Sequence, residues 1–125
     1  MQSKATVASA LAAGFFLAGT TTESRASDSL TAVSTEETFV SLLEGRELSR
    51  LGIRLTVTPD GQIVGSAFGT EVTGQWSWDA GYFCRDLFYG ERDLGYNCQL
   101  VQIDGNRMRF TSDQGAGQFA DFTLR

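Results

Sequence analysis

The chain contains no histidine, one proline and two cysteines. Its one lysine, Lys4, lies in the N-terminal leader. Without histidine and lysine, the commonest general base and the Schiff-base nucleophile are both missing. A serine nucleophile with no base beside it has little to activate it. Paired carboxylates are the remaining acid–base option, with Asp86, Glu91 and Asp93 as candidates. A run of charges of this kind is more simply a solvated loop, and it lacks the alternating oxygen spacing of a calcium loop. Gly115-Ala116-Gly117 is too short for a dinucleotide fingerprint, and a strand rather than a helix is expected after it. The sequence therefore predicts no catalytic residue, no metal ligand and no cofactor.

No apolar run reaches the roughly 20 residues of a membrane span. Ala5 to Ala18 is apolar or small, follows Lys4 and precedes Ser24-Arg25-Ala26, which has the small-x-small pattern of a cleavage site. Residues 1–26 are expected to be a cleaved signal peptide, with Ser27 as the new N-terminus. Thr20 stands where a lipid-carrying cysteine is needed, so a soluble periplasmic or secreted product is expected, with no membrane attachment after cleavage. Losing Lys4, Glu23 and Arg25 takes the formal charge from −5 to −6. An acidic chain lacks the basic footprint that nucleic acid requires.

Two cysteines in an exported chain most often form one disulfide. C-x13-C without histidine cannot complete a tetrahedral zinc site, and a redox motif wants C-x-x-C. Cys84 and Cys98 are therefore expected to be a structural pair. The closed loop of about 15 residues contributes roughly 3 kcal/mol in the chain-entropy account.

Ser27 to Val33 is polar and small and is expected to be a flexible lead-in. A single domain over 34–125 follows. Ser34 and Glu37 have capping-box spacing, and Phe39, Leu42 and Leu43 share one face. They predict a helix from about Thr35 to Glu44, with Gly45 as its stop and a continuation to Ser49 open. Beyond Leu51 the pattern is strand and turn. Strands are expected near 53–58, 62–68, 71–78, 82–88, 96–103, 107–111 and 118–124. About seven short strands at this spacing predict a mainly β, antiparallel meander or barrel.

Turn lengths give a register. A three-residue turn at Asp79–Gly81 puts Trp76 opposite Cys84 and Trp78 opposite Tyr82. A hairpin centred on Glu91 puts Cys84 opposite Cys98. A three-residue turn at Asp104–Asn106 puts Leu100 opposite Phe110 and Gln102 opposite Met108. One face then collects Val72, Trp76, Trp78, Tyr82, both cysteines, Leu100, Met108 and Phe110, so the sulfurs are expected inside against an indole. The other face collects Thr73, Gln75, Ser77, Arg85, Asn97, Gln99, Arg107 and Arg109. A two-residue turn at Gly105 is expected to expose Met108 and Phe110. Phe83 and Asp86 depart from the alternation and require a bulge or cover on both faces.

The binding candidates are aromatic and arginine. Trp76, Trp78, Tyr82, Tyr89 and Tyr96 can line a pocket, although Trp76 and Trp78 more simply fill a core. Tyr89 and Tyr96 flank the loop between the cysteines and can anchor a partner. Arg85, Arg107 and Arg109 are expected as an exposed patch or a solvated face.

Gly74-Gln75-Trp76-Ser77-Trp78, Gly81-Tyr82-Phe83-Cys84-Arg85, Asn97-Cys98-Gln99 and Arg109-Phe110-Thr111-Ser112-Asp113 together resemble a group of small exported bacterial β-proteins. The likeness covers about Phe39 to Arg125. Members of that group often carry the label dihydrodipicolinate reductase, which implies NAD(P)H-dependent chemistry. The reductase of lysine biosynthesis has two domains, a dinucleotide fingerprint and a histidine-containing substrate motif. This chain has neither motif, so no catalytic position transfers. A looser likeness, in architecture alone, is to small periplasmic protease or lysozyme inhibitors. The expected role is non-enzymatic binding of a protein or a small apolar ligand. An inhibitor is expected to use a protruding segment, Ser27–Val33 or Tyr89–Gly95. A carrier is expected to show an open apolar cavity beside Trp76 and Trp78.

Overall fold

The structure, a computed structural model, describes residues 29–125. The expected signal peptide lies outside the described residues. Among the described residues, ten strands and one α-helix make up the fold. They are β1 (Thr31–Ala32), α1 (Glu36–Leu43), β2 (Leu48–Arg50), β3 (Ile53–Val57), β4 (Gln62–Ala67), β5 (Thr70–Asp79), β6 (Tyr82–Tyr89), β7 (Arg92–Asp93), β8 (Asn97–Asp104), β9 (Arg107–Thr111) and β10 (Phe119–Leu124). All seven expected strands are present. β1, β2 and β7 are additions: the lead-in is pinned from Thr31 by pairing with β8, and the suggested helical continuation to Ser49 is strand instead.

Eight of the strands close into an antiparallel barrel, β2-β3-β4-β5-β6-β8-β9-β10 and back to β2. Closure rests on a short seam, where β6 meets β8 through Phe83↔Gln99, Cys84↔Cys98 and Arg85↔Asn97. The two strands are staggered, as barrel shear requires. The overhanging part of β8 pairs with β1, and that of β6 pairs with β7.

Thr35, not Ser34, caps the helix: its Oγ1 accepts from the Thr38 backbone N–H at 3.2 Å. Gly45, at φ 71, ends it as expected. The helix plugs one end of the barrel. Its Phe39 is wholly buried, with ring centroids of Trp78 and Phe83 at 5.0 Å and of Trp76 at 5.4 Å. Val33, Leu43, Val101, Met108 and Leu124 complete this core.

The expected register is wrong at two turns. Asp79 pairs with Tyr82 and Asp104 with Arg107, so both turns have two residues rather than three. Ala80 and Gly81 both take positive φ, 52 and 90, the primed-turn geometry that matches strand twist. Trp76 therefore faces Arg85 and Ser77 faces Cys84. Each shift inverts a strand, so β6 and β8 turn over while β5 and β9 keep their faces. Met108 and Phe110 stay buried because Val101 and Ile103 rotate inward to meet them. Phe83 and Asp86 now fit the alternation, one inside and one outside. The disulfide forms as expected, but on the outer face, away from the indoles. Cys84 is nonetheless only 1% exposed.

Candidate functional site

The plug fills only one end of the barrel. Antiparallel order places the Leu51–Gly52, Phe68–Gly69, Gly90–Glu91 and Ser112–Gln118 connections at the other end. There the interior holds a cavity of about 320 Å³. Its walls are mainly inward positions of seven strands, completed at the mouth by Ser112, Gln118 and Phe119. Leu55, Leu87, Phe110 and Phe122 make it apolar, and Arg85, Gln99, Ser112 and Gln118 supply its polar groups. An eight-stranded barrel is just wide enough to be filled by side chains or to hold one small ligand. Here Ala120, opposite Phe110, leaves part of the wall uncovered.

Arg85 is the unusual member. Its inward direction follows from the two-residue turn that sets it opposite Trp76. Its Nη1 donates to the Gly95 carbonyl at 2.9 Å. Among the described residues that is its one side-chain hydrogen bond, and it joins no ion pair. Burial holds the guanidinium below its ordinary value, with nearby Asp86 working the other way. Beside it, Gln99 Nε2 donates to Ser112 Oγ at 3.3 Å.

A second concavity, of about 440 Å³, lies between α1 and β3 and is rimmed by Glu44, Arg46, Glu47 and Arg125. Trp76 and Phe39 form its floor, so a space beside Trp76 does exist. Phe39 has no exposed surface, however, and Trp76 is only 7% exposed, so the aromatic floor is closed to contact. The barrel cavity is the better candidate, since it combines apolar walls with a few converging polar groups.

The remaining candidates are dispersed. Trp76 is core, its Nε1 donating to the Thr58 carbonyl at 2.8 Å. Trp78 stacks on Phe39, and its buried Nε1 has no partner. Tyr82 starts β6 at the plugged end, and Tyr89 ends it at the mouth. Tyr96 is 62% exposed, with its hydroxyl 3.6 Å from Cys98 Sγ, where the hydroxyl is the only possible donor. The expected patch of Arg85, Arg107 and Arg109 does not form. Arg109 points outward, grips Asp121 through Nε at 2.7 Å and Nη2 at 3.0 Å, and stacks 3.8 Å from the Phe119 ring. Arg107 shares Asp121 and also binds Asp104.

Asp86, Glu91 and Asp93 do not converge either. Asp86 lies outside, opposite Gln75; Glu91 occupies a turn; Asp93 accepts from the Gly95 N–H at 2.8 Å. Among the described residues, no three His, Cys, Asp or Glu side chains gather closely enough to hold a metal ion, and no helix is long and apolar enough to cross a membrane.

The mouth is ringed by apolar side chains. Leu51 is 93% exposed and Phe68 69%, and Leu94, Tyr96 and Phe119 also stand out there. Sequence reasoning missed Leu55, Leu87, Gln99 and Phe122 as cavity residues. Alternation along 83, 85 and 87 was a usable signal for Leu87, given the correct turn length.

Comparison with protein-family models, with curated proteins and with solved structures finds no match for this chain.

Proposed function

We propose that this protein is a non-enzymatic binding protein that carries one small apolar molecule in the open half of its barrel, in an oxidising compartment outside the cytoplasm. The half-filled interior carries this conclusion: a barrel plugged at one end by Phe39 and hollow at the other. The cavity volume is at the low end of the roughly 300–1,000 Å³ range of small-molecule sites, so a compact aromatic or medium-chain ligand suits it. The apolar rim of Leu51, Phe68 and Phe119 supports the same reading, because it gives such a ligand a route in from water. The disulfide supports the compartment, since such bonds persist under oxidising conditions.

The test is titration with the neutral fluorescent probe N-phenyl-1-naphthylamine. Saturable enhancement at one site is expected. Ala120→Trp, which pushes an indole into the cavity, is expected to abolish it without changing the circular dichroism of the fold. A wild-type protein that gives no saturable signal, or an Ala120→Trp variant that binds the probe as well as wild type, overturns the carrier. Incubation with NADPH and dihydrodipicolinate addresses the reductase label: no loss of the nicotinamide absorbance band is expected.

A further inference from the structure

If the barrel carries an apolar ligand, the structure also says what the polar end of that ligand must be. We infer that the cargo is a monoanion, an alkyl or aryl carboxylate, whose head group sits on Arg85 while its apolar part points into the cavity toward Phe110 and Phe122.

The inference starts from an imbalance of charge. Among the described residues, Arg85 is the only charged side chain lining the cavity, and no acidic residue lines it. Asp86, its sequence neighbour, points through the opposite face of β6. Three arginines of the barrel wall are paired, Arg54 with Glu47 and Arg107 and Arg109 with aspartates, while Arg50, which does not line the cavity, lies over the Phe122 ring at 5.6 Å. A guanidinium has five N–H donors, and Arg85 commits one of them, to Gly95 O. A charge drawn from water without a counter-charge is costly. A bound carboxylate removes that cost and matches the planar fork with two parallel hydrogen bonds. With a single cation in the cavity, one negative charge is balanced, whereas a phosphate dianion is left half-neutralised.

Geometry gives the orientation. The Arg85 side chain reaches the carbonyl of Gly95, which belongs to the β7–β8 loop at the open end. Gln99 and Ser112 form a polar pair in the same wall. The rings of Phe110 and Phe122 are edge to face at 5.8 Å and themselves carry no hydrogen-bonding group, so they suit the tail, although Arg50 lies 5.6 Å from the Phe122 ring centroid.

Isothermal titration with octanoate, octanol and octylamine, which share one alkyl chain, tests this. Wild type is expected to bind octanoate about 10- to 100-fold more tightly than octanol, the ratio that a charge-assisted hydrogen bond supplies, and octylamine most weakly. Arg85→Gln is expected to bring octanoate to the level of octanol while leaving octanol little changed. Arg85→Lys retains part of the preference, as a point charge without the fork. Equal binding of octanoate and octanol by wild type, or a preference that survives Arg85→Gln, overturns the carboxylate assignment and leaves the carrier standing. Failure of wild type to bind any of the three overturns both. Should Arg85→Gln bind neither chain, the wild-type preference decides alone.

Discussion

Cys84 and Cys98 lie directly opposite one another on β6 and β8, and their disulfide crosses the seam at which the barrel closes. That seam is three residue pairs long, against eight pairs between β5 and β6. The bond therefore reinforces a short junction in the wall beside the cavity, where the β10–β2 contact is shorter still, at two pairs. Replacing both cysteines by alanine is expected to lower stability by about 3 kcal/mol, the loop-closure value for a loop of this length. Urea unfolding of the variant and of the oxidised wild type measures this. Coincident curves would remove the disulfide from the account of closure.

Phe39 holds the plug to four aromatic rings, those of Trp76, Trp78, Phe83 and Phe110. It is the largest wholly buried side chain, and its loss leaves a void between helix and barrel that neighbouring rings cannot fill without leaving their own contacts. Phe39→Ala is expected to cost about 3–5 kcal/mol. Near-ultraviolet circular dichroism should lose its tryptophan fine structure at lower denaturant than wild type. A midpoint equal to that of wild type speaks against the helix as a plug.

Gly65, on β4, lies opposite Leu55 where two strands cross closely. A Cβ there would run into the Arg54 carbonyl oxygen, with Leu55 Cα at 2.9 Å, and backbone cannot yield as a side-chain tip can. Gly65→Ala is expected to destabilise by about 1–3 kcal/mol through overpacking. Thermal unfolding reads the effect; an unchanged midpoint contradicts the close approach.

Acid should weaken the outer wall through one carboxylate. Asp121 is held below its ordinary value near 3.8, first by the hydrogen bonds from Arg109, with partial burial opposing. A depressed folded value means that the stabilisation is present above the ordinary carboxylate range and is lost as pH falls through the folded value. Wild type should therefore be more stable than Asp121→Asn at neutral pH, and the gap should close on acidification below about pH 4. Denaturant midpoints of both proteins across that range decide it. A gap that persists unchanged to about pH 2 assigns the difference to packing rather than to ionisation.

Local chemistry was enough to place the elements. Thr58-Pro59-Asp60-Gly61, Gly69 and Gly81 mark turns because few other residues accept those backbone angles, and alternation between them marks strands. The helix was legible for the same reason, with an error of one residue at its cap, since Ser34 and Thr35 offer the same hydroxyl. The cysteine pairing was legible from their number and the expected export.

The orientation of β6 and β8 was not legible, and with it the candidate site. One residue of turn length decides which side of a strand faces in. That length was set at Ala80, an alanine that accepts φ 52 so that β5 and β6 can keep their twist. Nothing local to Ala80 announces it; the demand comes from strands that must coil around a common axis. The cavity is further still from the sequence, because it is a difference between the radius that eight staggered strands impose and the volume their inward side chains occupy. The sequence by itself determined where chain direction changes and which residues can be bonded. Only the closed barrel decided that Arg85 points inward, since facing is a property of paired strands and not of any one of them.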